Sequence, residues 1–125
     1  MLLKLATLWG TDNSGCSSAK LIQLFSNQIC HSGELVKVVM KRFDKRRKLQ
    51  PKKKYLVIPI SLTQMMQRRR GDMYKFNINR IIMLTDNMKR LLGTRIYGPS
   101  IKEVRKIPLE RSILQKIVSY AYYTI

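Results

Sequence analysis

Apolar residues in this chain come in short runs of strand length, each closed off by a polar connector. Residues 2–8 (LLKLATL) and 19–25 (AKLIQLF) are two such runs. Between them, residues 9–18 are rich in Gly, Asp, Asn and Ser, which favour turns. Either run could coil into a helix, but both are short and the turn chemistry between them argues for β structure. After a second polar connector (26–33), residues 34–43 (ELVKVVMKRF) read as a strand whose Val-rich face is interrupted by Lys37 and Lys41. Residues 55–62 (YLVIPISL) form a buried-type strand, with Pro59 marking an edge or bulge position. Residues 64–72 read as a hairpin-like connector with Gly71 at its tip. Residues 73–76 and 80–84 are strands flanking Asn77-Ile78-Asn79. Strands this short, at this spacing, predict a small barrel or sandwich.

The pattern then tightens into turns. Thr85-Asp86 can cap a short helix through Lys89, Arg90, Leu91 and Leu92, with Gly93 as the left-handed residue that ends it. Arg95-Ile96-Tyr97 alternates as a short strand would. Gly98-Pro99 turns the chain, with Gly98 free to take φ > 0. Ser100 can cap a second short helix over 101–106, which Pro108 stops. Leu109, Ile113, Leu114, Ile117, Val118 and Ala121 recur at helical spacing, with Pro108 suited to the helix start and Glu110 and Lys116 near the ends their charges favour. The tail, Ala121-Tyr122-Tyr123-Thr124-Ile125, is uncharged and aromatic. It either closes the core or offers a surface to a partner.

Charge changes the picture. Against 7 Asp and Glu stand 25 Lys and Arg, a net charge of +18 on 125 residues. Such a field repels itself unless a polyanion neutralises it, which makes nucleic acid the leading partner class and an anionic membrane surface the second. The hydrophobic fraction of 45% sets the chain apart from a disordered basic tail and predicts one domain over 1–125. No stretch reaches the ~18 apolar residues of a transmembrane helix. The N-terminal residues match neither a signal peptide nor a transit sequence, so no leader is expected. Two cysteines, Cys16 and Cys30, make no disulfide framework, which fits a reducing compartment.

The charge is also concentrated. Lys41, Arg42, Lys45, Arg46, Arg47, Lys48, Lys52, Lys53 and Lys54 face one acid, Asp44, within 41–54. A charge run is usually a solvated face, but here almost no acid offsets it and phosphate contact is expected. Arg68, Arg69 and Arg70, beside Gly71, are expected to project together from the hairpin onto RNA. Catalytic chemistry is absent. His31 adjoins Cys30, and neighbours on an extended chain point to opposite faces. Ser14 lacks an elbow pattern, and the carboxylates are scattered, so no enzyme activity is expected. Cys16, Cys30 and His31 lack the spacing of a zinc site, so neither a metal nor a cofactor is expected. Trp9 is expected to pack in the core or a turn, with base stacking as a minor alternative.

Four ordered segments carry a resemblance. Gly93-Thr94-Arg95-Ile96-Tyr97-Gly98-Pro99 with Lys102-Glu103-Val104-Arg105, together with Thr11-Asp12-Asn13-Ser14-Gly15, resembles motifs of the universal family of large ribosomal subunit protein fourteen, of bacterial and organellar type. Gly33-Glu34-Leu35-Val36-Lys37-Val38 and Lys116-Ile117-Val118-Ser119 are similar to two further family motifs, in the right order and at near-constant spacing. Lys75-Phe76-Asn77-Ile78-Asn79 is similar to another, except at Ile78. Where the family has an Arg-Thr pair and an Asp-Gly turn, this chain has Ser61-Leu62 and Arg70-Gly71, which makes the hairpin tip more basic.

The resemblance implies a mainly β fold: a small closed five-stranded β-barrel with a projecting β-hairpin and short C-terminal helices within 86–121. It implies a structural constituent of the large ribosomal subunit that binds large-subunit rRNA and supports the subunit interface. Asn13, Lys75 and Arg95, each inside a family-like motif, complete the expected RNA-binding set. Ile113, Ile117, Tyr120, Tyr122 and Tyr123 are the expected protein-facing residues. The implied partners are neighbouring large-subunit proteins, small-subunit rRNA across the interface and a ribosome silencing factor, with no membrane. Composition rich in Ile, Lys and Tyr favours an organelle-encoded protein of the mitochondrial matrix over the bacterial cytoplasm or plastid stroma. A non-ribosomal RNA or DNA chaperone on a similar barrel, or a basic peripheral membrane protein, are the rival readings.

Overall fold

The computed structural model describes residues 6–24, 34–46, 49–85, 90–106 and 109–125. Five strands close into a barrel in the order β1-β2-β3-β4-β7: β1 (Thr7–Gly10), β2 (Cys16–Leu24), β3 (Val36–Phe43), β4 (Lys54–Ser61) and β7 (Arg80–Met83). Neighbours are antiparallel except β1 and β7, which run parallel through Trp9↔Arg80 and Gly10↔Ile81 and so complete the closure. Between β4 and β7 the short strands β5 (Met66–Gln67) and β6 (Met73–Tyr74) form a separate hairpin. The expected closed five-stranded barrel with a hairpin is the fold observed.

Alternation builds the barrel interior. Val36, Val38 and Met40 on β3, Tyr55 and Val57 on β4, and Ile81 and Met83 on β7 point inward, with Leu8, Ala19 and Leu21 from β1 and β2. The intervening residues Ile58, Ile60 and Ile82, with Leu84, face outward yet are just as buried. They meet Ile96, Ile101, Val104, Ile113, Leu114 and Ile117 of the C-terminal segment in a second core. A strand covered on both faces must be largely apolar, which is why 55–62 and 81–84 read as near-continuous runs. Pro59 lies past the last β3–β4 pair, Val36↔Val57, and at the register shift between Pro59 and Ser61. Its missing N–H therefore costs that ladder nothing, as the bulge reading expected. Shifts along the β2–β3 pairing give the long strand β2 its bend around the barrel.

The C-terminal third departs from expectation. Leu91 forms an isolated bridge with Leu84, and Thr85 N–H donates to the Arg90 carbonyl at 3.0 Å, so residues 90–92 are not helical. The Asp86 cap and Lys89 lie outside the described residues, as do Pro108 and residues 1–5. Gly93 is not left-handed: its glycine identity answers close packing, since a Cβ there would meet Asn13 Oδ1 at 2.9 Å and Asp12 Cβ at 3.0 Å. Ile96 contributes one bridge, to Asp12, in place of a strand. Ser100 bridges Thr124 instead of capping a helix, and residues Lys102–Lys106 form a 3-10 turn. The single α-helix among the described residues, α1, spans Arg111–Tyr120. Glu110 is its N-cap, at the end its charge favours, though no side-chain hydrogen bond caps the helix; Lys116 sits mid-helix, so its charge serves no helix end.

Candidate nucleic-acid interface

The loop after β1 is the hub of one barrel end. Asp12 is nearly buried and its carboxylate accepts from Ser14 Oγ (2.5 Å), Ser14 N–H (3.3 Å) and Met83 N–H (3.0 Å). Burial pushes this carboxyl above its ordinary value, and those hydrogen bonds counter it only in part. Asn13 Oδ1 accepts from the Thr94 and Arg95 N–H groups at 2.7 and 3.1 Å, while Nδ2 donates to Thr94 Oγ1 at 2.8 Å. Thr11 completes the seam: its carbonyl accepts from Tyr97 N–H, and its hydroxyl donates to the Tyr97 carbonyl. Two motifs some eighty residues apart are thereby stitched into one turn system. Asn13, expected on RNA, has its amide committed to this seam, which holds Arg95 outward with its side chain exposed.

The same loop anchors the basic segment. Asp44 N–H donates to the Gly15 carbonyl at 2.8 Å, and Asp44 Oδ1 accepts from Arg46 N–H at 2.9 Å. Farther on, Leu49 is buried in the barrel core and the Tyr55 hydroxyl accepts from Gln50 N–H at 2.8 Å. One apolar side chain thus plugs the loop into the barrel. Around it Lys41, Arg42, Lys45, Arg46, Lys52, Lys53 and Lys54 are exposed; Lys53 Nζ lies 5.4 Å from the Tyr55 ring centre. Arg47 and Lys48 lie outside the described residues. Loops 11–15 and 44–53 share one end of the barrel because β1 and β3 both run toward it. Arg95, Lys45 and Arg46 therefore stand on a common platform of strong positive charge.

The three arginines of the hairpin do not behave as a set. Arg68 N–H donates to the Asp72 carbonyl and Gly71 N–H to the Arg68 carbonyl, which leaves Gly71 at φ +89° in the expected turn. Arg69 and Arg70 are exposed at the tip. Arg68 instead folds back: Nε lies 3.1 Å from Glu103 Oε1, Nη2 donates to the Ile125 main-chain oxygen at 2.5 Å, and the guanidinium covers the Tyr74 ring at 4.6 Å. This corrects the expectation that Arg68 projects onto RNA. A carboxylate and a ring within reach hold it better than water holds a third like charge beside two others. Burial alone would raise the Glu103 carboxyl, but hydrogen bonds and the Arg68 charge outweigh it and hold the group below its ordinary value. Lys75, after β6, is exposed. The hairpin follows β4, which runs away from the basic loop, so Arg69 and Arg70 mark a second site toward the other end.

Of the expected protein-facing residues, Ile113 and Ile117 are fully buried in the second core and present no surface, which corrects that assignment. Their helical spacing located a face correctly, and the barrel itself covers it. Tyr120, Tyr122 and Tyr123 are exposed. The tail closes the fold with its backbone, through Ser100 N–H to the Tyr123 carbonyl, Lys102 N–H to the Ile125 oxygen and Ile125 N–H to the Ser100 carbonyl, while its rings face solvent. Trp9 overturns its expectation too: it is 45% exposed, because its neighbour Leu8 takes the inward position on β1.

Cys16 is a buried free thiol that burial and the Asp12 carboxylate push up to about 12, which leaves it unreactive. Among the described residues no three His, Cys, Asp or Glu side chains converge as metal ligands, and no helix is long and apolar enough to cross a membrane. Cys30 and His31 lie outside the described residues. Every residue of 1–125 is matched by the family model of ribosomal protein L14p/L23e; the chain belongs to that family and is a structural component of the large ribosomal subunit.

Proposed function

We propose that this chain binds large-subunit rRNA by holding two groups of cations on a rigid barrel, where they neutralise phosphates of converging RNA segments. The observation that carries the reading is the exposed basic loop pinned at Leu49 and Gly15. Charge held in place loses little entropy on binding, unlike charge on a free tail. Lys41, Arg42, Lys45, Arg46, Lys52, Lys53 and Lys54 supply the main contact, and Arg95 extends it. Arg69, Arg70 and Lys75 form the second group, which Arg68 positions from behind. Asn13 acts through the Arg95 loop that it orients.

The exposed rings of Tyr120 and Tyr123 suit contact with neighbouring ribosomal proteins. Small-subunit rRNA across the subunit interface and a ribosome silencing factor complete the proposed partners. The compartment we assign is the mitochondrial matrix, with an organelle-encoded chain. Its support is the Ile-, Lys- and Tyr-rich composition and departures from the bacterial pattern such as Arg70-Gly71.

Salt dependence of binding tests the core of this reading. Neutralising Lys45, Arg46, Arg47 and Lys48 should lower the slope of log affinity against log salt by roughly 0.7–0.9 for each lost phosphate contact. An unchanged slope would mean that the loop does not touch RNA.

A further inference from the structure

We propose that Trp9, Tyr97, Tyr122 and Arg80 form a site for an unpaired nucleotide of RNA, with the rings stacking on its base and the guanidinium taking its phosphate. An open groove of about 490 Å³ is lined by these four side chains with Gly10, Thr11, Ile78 and Gly98. Its rings are unusually bare for a small domain. Trp9 is 45%, Tyr97 46% and Tyr122 70% exposed, and together they leave aromatic surface open along one groove.

Four separate segments hold the arrangement. Trp9 and Arg80 are paired across the parallel β1–β7 ladder and so stand side by side on the outer face. Tyr97 is fixed by its N–H bond to the Thr11 carbonyl, and Tyr122 by its N–H bond to the Gly98 carbonyl at 3.2 Å. The two tyrosine rings meet edge to face, 6.5 Å apart at 68°. Gly98 forms part of the floor: a Cβ there would come within 2.8 Å of Arg80 Nη1, so the guanidinium rests against bare backbone.

Charge selects the occupant. Among the described residues that line the groove there is no carboxylate, Arg80 is one of them, and the whole molecule carries +18. A basic protein segment would be repelled. A single-stranded nucleotide offers a π face to the rings and an anion to Arg80, which is how sequence-tolerant RNA sites are built. The inference deepens the rRNA-binding reading and rests on it, but uses residues distinct from the basic loop.

Trp9 is the only tryptophan, so its emission reports on this groove alone. The full chain should be titrated with unstructured oligoadenylate and with inorganic polyphosphate of matched charge, while anisotropy of labelled oligonucleotide tracks binding independently. Oligoadenylate should quench Trp9 and polyphosphate should leave it unchanged. Tyr122→Leu, at the most exposed of the three rings, should weaken oligoadenylate binding by roughly fivefold or more. Binding by anisotropy with unchanged Trp9 emission would overturn the groove and leave the basic loop as the RNA contact. Absence of binding to either oligoadenylate or an rRNA fragment would instead sink the rRNA-binding reading beneath it. Crosslinks from the groove of the assembled subunit that recover only protein would overturn the nucleotide in favour of a protein neighbour.

Discussion

Arg68 Nε lies 3.1 Å from Glu103 Oε1, and this contact joins the β5–β6 hairpin to the 3-10 turn thirty-five residues later. With the Ile125 oxygen and the Tyr74 ring as its other partners, Arg68 is the point where hairpin, 3-10 turn and tail converge. It is a positioning residue, whereas the other arginines among the described residues are mostly exposed.

Removing it should loosen all three segments together. In Arg68→Ala, amide exchange should speed up at Gly71 in the hairpin and at Ser100, Lys102 and Ile125 in the tail pairing. Arg70→Ala, at the exposed tip, should leave these amides unchanged. Equal protection in both variants would mean that the hairpin is held by its strand pairing alone.

Leu49 should matter more than any charge in its loop for stability, and less for direct contact. Leu49→Ala empties a buried position in the barrel core and should cost roughly 2–5 kcal/mol in denaturant unfolding. Lys45→Ala, at an exposed position, should fall within about 0.5 kcal/mol of the parent. The expected pattern for RNA affinity is that Lys45→Ala lowers the salt slope while Leu49→Ala, where still folded, weakens binding without removing a phosphate contact.

Gly98 has φ +111°, a conformation that side-chain-bearing residues rarely adopt. In Gly98→Ala the Arg80 guanidinium can swing away from the new Cβ, but the backbone strain has no such escape. The variant should lose more than about 1 kcal/mol in thermal or denaturant unfolding. Parent-like stability would show that the turn relaxes to another conformation.

Asp12 makes a pH prediction whose sign is opposite to that of an ordinary paired carboxylate. Its folded pKa is raised from 3.8, first by burial, so the native state binds the proton more tightly than the unfolded chain does. Its contribution to stability is therefore greatest below about pH 4 and declines as the pH rises through the raised value, then levels off. Glu103, held below 4.5, works the other way: its contribution is present above the unfolded value and is lost as pH falls through the lowered one. Comparing parent and Asp12→Asn isolates the first effect. The stability difference between them should change across the acid range in that sense, on top of a constant loss of roughly 1–3 kcal/mol for a buried N–H left without its acceptor. A difference independent of pH would mean that Asp12 titrates normally.

What the sequence determined by itself was set by periodicity and by local chemistry. A run such as VKVVMKRF can bury only alternate residues, so β3 and its inward face were legible before any partner was known. The two-sided burial of β4, the bulge at Pro59 and the glycine turns at 71 and 98 follow from the same local rules. A segment, 41–54, carrying nine basic residues against one acid announced its own polyanion. Tertiary structure decided which polar residues are spent internally and which remain for partners. Nothing near Asn13 in sequence reveals that its amide serves Thr94 and Arg95, and nothing near Arg68 reveals Glu103 or Ile125. Likewise Ile113 and Ile117 formed a visible apolar stripe, but only the outer faces of β4 and β7 determined that the barrel covers it. Trp9 is exposed because barrel closure assigns Leu8 to the interior, and the same closure sets it beside Arg80, some seventy residues away. Periodicity reports a residue's own face, whereas the identity of what lies opposite depends on which strands meet when the barrel closes.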